Sequence, residues 1–238
     1  MNLQEIIINK KKELNLKKSD KNQFKKIFIW KNASIIWELK LKSPNWLLVP
    51  QKWYWDIINY YTKNSSIKAI SILIDEKYFH WDIKNIMKFT WINNKPVLFK
   101  EFILDKKQID WAKYYWYDAI LLIKKILNDK DIIEFINYAN NQNIFPIVEI
   151  DNEKDLNLIL EFDTNIDFWI ALNARNLSTM KINQNFHFEI YNKYKTILKD
   201  KILFAFSWIE SKHTKKYKNK FNWVLIGTDF MKQLTWIK

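Results

Sequence analysis

Acid–base chemistry at neutral pH needs amines and carboxylates close enough to shift one another's protonation, and this 238-residue chain carries several candidates. Glu38 and Lys40 stand two apart, Lys100 is followed by Glu101, Glu149 closes a Pro-Ile-Val-Glu sequence, and Asn173 and Arg175 again stand two apart. Each sits at the end of a short apolar run. Ser207 with Trp208, and Gly227 with Thr228, end two later runs, where backbone N–H groups can hold a phosphate. Taken singly, each residue is an ordinary polar strand end; their common location is what makes them a site. Arg175 stands out as the sole arginine among 39 basic residues. Its planar fork can grip a carboxylate or phosphate with two hydrogen bonds, which a lysine cannot do, although chance survival of one arginine is the alternative.

The runs that must position these residues fall at 34–39, 68–74, 96–100, 118–123, 145–150, 167–172, 201–206 and 222–227. Each is near-continuously apolar and rich in β-branched residues rather than alternating, the pattern of parallel strands covered on both faces. Segments of helical period separate them, at 106–115, 129–140, 153–160 and 186–199. Eight strand-then-helix units in a chain of this length predict a (β/α)8 barrel, with chemistry at the carboxyl ends of the strands. A doubly wound open sheet competes, but its glycine-rich first turn is missing. The prolines at 44, 50, 96 and 146 mark no linker. We expect residues 34–238 to form one barrel domain and residues 1–33 a helical N-terminal extension, from the Leu3, Ile6 and Ile7 spacing.

Composition narrows the chemistry. With no cysteine and only His80, His187 and His213, neither a thiolate site nor an ordinary histidine metal site is expected. The chain reads as needing no metal or cofactor. Apolar runs such as 119–123 fall far short of the ~20 residues a bilayer span requires, and no signal-peptide core opens the chain, so the expectation is a soluble, cytoplasmic protein without a membrane partner. The net charge of +13 fits a lysine-rich coding bias or a phosphorylated substrate. The basic clusters at 10–12 and 212–220 read as solvated helix faces, not a nucleic-acid footprint.

One glycine beside thirteen tryptophans is unusual, since average usage would place about 17 glycines in such a chain. Trp46, Trp81, Trp91, Trp116 and Trp208 all lie at apparent turns or strand ends. Position 116 follows a helix, where glycine takes a positive φ at little cost. We read many of these tryptophans as occupying glycine positions, as would follow if a UGA codon decoded as glycine in the source had been translated as tryptophan.

Several segments, in order along the chain, resemble the indole-3-glycerol-phosphate synthase family. Glu38-Leu-Lys40-Leu-Lys-Ser43-Pro44-Asn is similar to its E-x-K-x-x-S-P-S segment, and Asp75-Glu-Lys-Tyr-Phe79 to D-E-K-Y-F. Val97-Leu-Phe-Lys100-Glu-Phe102-Ile resembles V-L-x-K-D-F-I, Gln108 opens a Q-x-x-x-A stretch, and Trp116-Tyr-Asp-Ala-Ile-Leu-Leu-Ile123 resembles G-A-D-A-I-L-L-I. Val148-Glu149, Asn173-Ala-Arg175-Asn-Leu177 and Val224-Leu-Ile-Gly227-Thr228 complete the series.

The resemblance implies a lyase that closes the ring of 1-(2-carboxyphenylamino)-1-deoxyribulose 5-phosphate, with loss of carbon dioxide and water. It implies Lys100 as general acid, Glu38 and Glu149 as proton carriers in the dehydration, and Lys40 as an assisting or anchoring group. Ser43, Asn173 and Arg175 would hold the substrate, with Phe79, Phe102 and Leu121 as an apolar wall. Ser207, position 208, Gly227 and Thr228 would cradle the phosphate. Other tryptophan-pathway enzymes are the implied partners. The chain departs from the family pattern at Phe206, where a glutamate is usual, at Glu101 for aspartate and at Ala171 for glycine. Two other readings remain: a different phosphate-binding barrel, such as a sugar-phosphate isomerase, and an inactive basic barrel that binds nucleic acid.

Overall fold

A computed structural model describes residues 33–39, 54–65, 67–74, 95–163 and 165–227. Eight parallel strands close into a barrel in chain order: β1 (Ser34–Leu39), β2 (Ala69–Leu73), β3 (Val97–Lys100), β4 (Ala119–Ile123), β5 (Phe145–Ile150), β6 (Trp169–Asn173), β7 (Leu203–Phe206) and β8 (Trp223–Ile226). All eight expected runs are strands, most of them a residue or two shorter than their apolar stretch. Glu38, Lys100 and Glu149 lie within strands, as their runs placed them, and Asn173, one residue past its expected run, closes β6. The expected extension at 1–33 falls outside the described residues but for Ala33.

Alternation along each strand splits the apolar residues into two cores. One set, including Leu39, Ile70, Ile72, Phe99, Ile120, Leu122, Val148 and Ile170, faces outward against the helices. The other points into the barrel and includes Ile36, Leu98, Leu121, Ile147, Ala171, Phe206 and Leu225. The strands tilt, so a hydrogen-bonded row descends as it crosses the sheet. Glu38 on β1 is level with Ser71, Ser71 with Leu98, Leu98 with Ala119, and Ala119 with Phe145 at the start of β5. At that lower end the Phe145 and Trp169 rings stack 4.4 Å apart, with Phe204 and Trp223 continuing the layer.

Among the described residues the helices are α1 (Tyr54–Lys63), α2 (Lys106–Tyr114), α3 (Asp129–Asn141), α4 (Glu153–Leu160), α5 (Phe186–Lys193) and α6 (Lys195–Leu198). α3 starts where the Asn128 side chain accepts from the Asp131 N–H at 2.8 Å, and Asp129 and Asp131 add negative charge at the positive end of the dipole. Its buried residues Ile132, Phe135, Ile136 and Ala139 recur at helical spacing, placing one stripe against the sheet. α4 repeats the device with Asn152 capping Asp155. The single helix expected over 186–199 is broken at Tyr194, whose hydroxyl reaches Glu153 on α4 at 2.7 Å. Short 3-10 turns occupy Lys124–Ile126 and Ser211–Tyr217.

Candidate active site at the carboxyl ends of the strands

Inward-facing positions near the ends of β1, β3, β5 and β6 bring together residues that lie far apart in sequence. Lys100 Nζ is 3.5 Å from Glu38 Oε1, the lysine partly open to solvent and the glutamate buried. Glu149 is 3% exposed, and its Oε1 accepts a hydrogen bond from Asn173 Nδ2 at 2.9 Å. Burial pushes the Glu149 carboxyl above its ordinary range, while the Lys100 ammonium and the Asn173 hydrogen bond pull it back. Asp151 and Glu38 push it further up. A carboxyl group poised in this way can hold or release a proton as the charge beside it changes.

Gly227 supplies the space this arrangement needs. A Cβ built there would overlap Glu38 Oε2 and lie 3.2 Å from its Cδ. The one glycine in the sequence therefore stands where backbone and a buried carboxylate meet.

The loop after Lys100 is ordered locally. Asp105 caps α2, with its Oδ1 accepting from the Lys107 N–H at 2.8 Å, while Gln108 Oε1 accepts from Leu104 and Asp105. Gln108 Nε2 also donates to the Phe102 carbonyl at 3.0 Å, which fixes Phe102 beside the mouth with 44% of its surface exposed. Leu121 is buried inside the barrel, level with Ile147 and one inward step below Ile123, so it forms part of the cup's base. Arg175 is half-buried in the loop after β6, and its Nη1 donates to the Met180 carbonyl at 3.4 Å. Phe206 is buried in the interior against Phe204, so an apolar ring fills the place where the resembling family carries a glutamate.

At the end of β7, Ser207 and Trp208 both take positive φ, 68° and 57°. Trp208 is 59% exposed. Two successive left-handed residues turn the chain sharply, a conformation natural to glycine and strained for an indole-bearing residue. Trp116 is also left-handed, with φ 66°. Trp46, Trp81 and Trp91, like the candidate site residues Lys40, Ser43, Phe79 and Thr228, lie outside the described residues.

Three supporting residues escaped sequence reasoning. Tyr61 on α1 donates from its hydroxyl to the Glu38 carbonyl at 3.1 Å and so braces β1 from outside. Asp151 Oδ2 accepts from the Leu177 N–H at 2.6 Å, tying the end of β5 to the loop after β6. Ser71 is fully buried, level with Glu38, and its hydroxyl has no hydrogen-bond partner among the described residues. It is the lone polar residue of its strand, a signal that was available in the sequence.

This is the fold of a (β/α)8-barrel enzyme, with amine and carboxylate side chains gathered at the end where such barrels carry their chemistry. A family model for indole-3-glycerol phosphate synthase matches residues 3–236, and the chain belongs to that family. It is 39% identical over 227 residues to the indole-3-glycerol phosphate synthase of Sulfurisphaera tokodaii, a match covering 91% of this chain and 85% of that one. The enzyme of the same name from a Thermoanaerobacter species is 30% identical, with 98% and 93% covered. The tryptophan biosynthesis protein TrpCF of Buchnera aphidicola from Schizaphis graminum is 32% identical over 84% of this chain but only 43% of its own length. Among solved structures, a mutant tryptophan synthase alpha-subunit from Pyrococcus furiosus has a TM-score of 0.62 at 14% identity, covering 87% of this chain and 92% of that one. That likeness speaks to the barrel alone. Among the described residues, no helix is long and apolar enough to cross a membrane.

Proposed function

We propose that this chain catalyses the family reaction with the groups assembled at its mouth. The substrate, 1-(2-carboxyphenylamino)-1-deoxyribulose 5-phosphate, would be closed to indole-3-glycerol phosphate with loss of carbon dioxide and water. The observation that carries the reading is the Lys100–Glu38 pair at 3.5 Å, in one cup with the buried Glu149.

Ring closure joins the carboxyl-bearing ring carbon to the ketone carbon, and the ketone oxygen gains a proton. Lys100 is the donor, since its ammonium is the solvent-reachable acid of the cup and Glu38 anchors it from one side. Loss of carbon dioxide then restores the aromatic ring. Dehydration removes the new hydroxyl as water and a proton from the adjacent carbon, which calls for a second acid–base group. Glu149 fills that role, held by Asn173 and tuned by its burial. The shallow apolar wall of Phe102 and the base at Leu121 suit the anthranilate ring, with Phe79 a further wall residue. Arg175 and Ser43 are assigned to the substrate's anionic and polar groups, and Lys40 to assisting Lys100. The left-handed Ser207–Trp208 turn, with Gly227 and Thr228, is the phosphate seat, formed by main-chain N–H groups. Every step is proton transfer or bond rearrangement within the substrate, so the reading involves no cofactor. Other tryptophan-pathway enzymes, acting just before and after in the same sequence of reactions, are the proposed partners.

The test is direct. The purified chain, given this substrate, is expected to produce indole fluorescence, and Lys100→Met is expected to lower kcat by at least about a thousandfold with an unchanged melting temperature. Product formation that survives Lys100→Met would remove Lys100 from the chemistry.

A further inference from the structure

Of the two described histidines, His187 alone has a buried ring, and no step of the proposed reaction uses it. It lies on α5, 1% exposed, with its Nε2 at 3.1 Å from the Leu172 carbonyl oxygen and 2.9 Å from that of Phe206. Both neighbours can only accept, so Nε2 carries the proton and shares it between them. Nδ1 is then an acceptor, and the Tyr217 hydroxyl, 3.1 Å away, donates to it. Burial lowers the imidazole's pKa to about 4, which keeps the ring neutral and this pattern constant across physiological pH.

The two carbonyls mark the places where β6 and β7 part company. The last residue pair between the strands is Asn173 with Phe206. Beyond it one chain enters the Asn173–Arg175 loop, and the other takes two left-handed residues at Ser207 and Trp208. Leu172 immediately precedes Asn173, which holds Glu149, and Phe206 immediately precedes the proposed phosphate seat. Ala174 N–H also donates to the Phe206 oxygen at 3.1 Å, so that oxygen joins three segments. Tyr217 closes the 3-10 turn that follows the seat, linking it back to the same ring. A strained turn persists only where its surroundings over-determine it, and this shared N–H is the contact best placed to do so.

We propose that His187 is a positioning residue of the substrate pocket: its Nε2–H, shared between the Leu172 and Phe206 carbonyls, fixes the ends of β6 and β7 against each other and so sets the spacing between the Asn173–Glu149 pair and the Ser207–Trp208 turn. The proposal rests on the reading of that turn as the phosphate seat.

His187→Met keeps a side chain of similar reach but removes the donor, leaving two buried carbonyls short of a partner. We expect KM for the phosphorylated substrate, and the inhibition constant of inorganic phosphate, to rise about tenfold, with kcat changed by less than about threefold. His187→Gln places an amide donor near the Nε2 position and is expected to recover most of the loss. Hydrogen exchange at the Ala174 amide gives a readout that needs no turnover, and it is expected to quicken in His187→Met and recover in His187→Gln. Unchanged KM and unchanged Ala174 exchange in a folded His187→Met protein would overturn the proposal, even if its melting temperature fell. Should that variant fail to fold, Tyr217→Phe, which removes the donor that holds the ring from its Nδ1 side and so loosens its seating against the two carbonyls, takes its place: quicker Ala174 exchange with a raised KM supports the proposal, and no change in either overturns it. If the unaltered enzyme neither turns over nor binds phosphate, the functional reading fails by itself, and Ala174 exchange alone decides whether His187 sets the strand ends.

Discussion

At the floor of the barrel, Phe145, Trp169, Phe204 and Trp223 on β5 to β8 fill the interior as a stacked aromatic layer, whereas at its mouth inward positions of β1, β3, β5 and β6 carry Glu38, Lys100, Glu149 and Asn173. Both layers are buried or nearly so, and they are stabilised differently. The floor gains from apolar burial and ring stacking, which tolerate no vacancy but need no exact polar geometry. The mouth holds charges in low dielectric, where each must be paired or hydrogen-bonded and a shift of one group moves the proton affinity of the next. With the proposed chemistry at the mouth, a barrel divided this way separates stability from catalysis along its own axis, so substitutions at the two ends should affect different measurements.

The largest effect belongs to the floor. Trp169→Ala deletes the ring stacked between Phe145 and Phe204 and leaves a cavity in a packed interior. We expect a loss of about 3–5 kcal/mol in unfolding free energy, with kcat measured well below the lowered melting temperature within about threefold of the original. A collapse of kcat in the folded variant would show that floor and mouth are not separable. At the mouth, Gly227→Ala pushes a methyl group into the Glu38 carboxylate. The carboxylate can swing aside, so stability should change by less than about 1 kcal/mol, but the swing breaks its 3.5 Å contact with Lys100. We expect kcat/KM to fall about a hundredfold. Near-normal turnover in Gly227→Ala would mean that the Glu38 position observed here is not the one used in catalysis.

How much of this was legible beforehand differed between the two ends. The mouth was legible because several apolar runs end alike in charged or amide residues, as in Val-Leu-Phe-Lys100 and Pro-Ile-Val-Glu149, and a barrel brings those ends to one rim, although each alone is an ordinary strand end. The eight runs likewise became eight strands, since a both-faces-buried strand needs only continuous apolar residues. The same continuity hides which residues face inward, so the aromatic floor could not be picked out from Phe145, Trp169, Phe204 and Trp223 as letters. Helix limits were recovered where side chains cap them, as at Asn152 and Glu153, and missed where a tertiary contact intervenes, as at Tyr194 with Glu153. In the sequence His187 is simply one of three histidines, too few for an ordinary metal site. Its actual partners are two backbone carbonyls and a tyrosine 30 residues away, and backbone acceptors leave no trace in a side-chain pattern.

The smallest effects come from a matched pair that crosses the same divide. α2 and α3 end alike: Trp116 N–H donates to the Lys113 carbonyl and Tyr117 N–H to that of Ala112, just as Asn143 N–H donates to Asn140 and Ile144 N–H to Ala139. In this motif the residue after the cap is left-handed, at φ 66° for Trp116 and 58° for Asn143. Asparagine is one of the few non-glycine residues suited to that role, and tryptophan is not. Trp116 precedes β4 on the floor side, and Trp208 follows β7 on the mouth side, in the same backbone conformation. Trp116→Gly and Trp208→Gly should each raise unfolding free energy by about 1 kcal/mol through relief of that strain. Only Trp208→Gly should also lower KM for the phosphorylated substrate, by roughly tenfold, because it alone bares main-chain N–H groups at the proposed seat. Equal kinetic effects from both substitutions, or none from Trp208→Gly, would count against the seat's location. Glycine geometry at both positions also bears on which residue the cell inserts there, and an intact mass of the protein isolated from its own cells reads that directly.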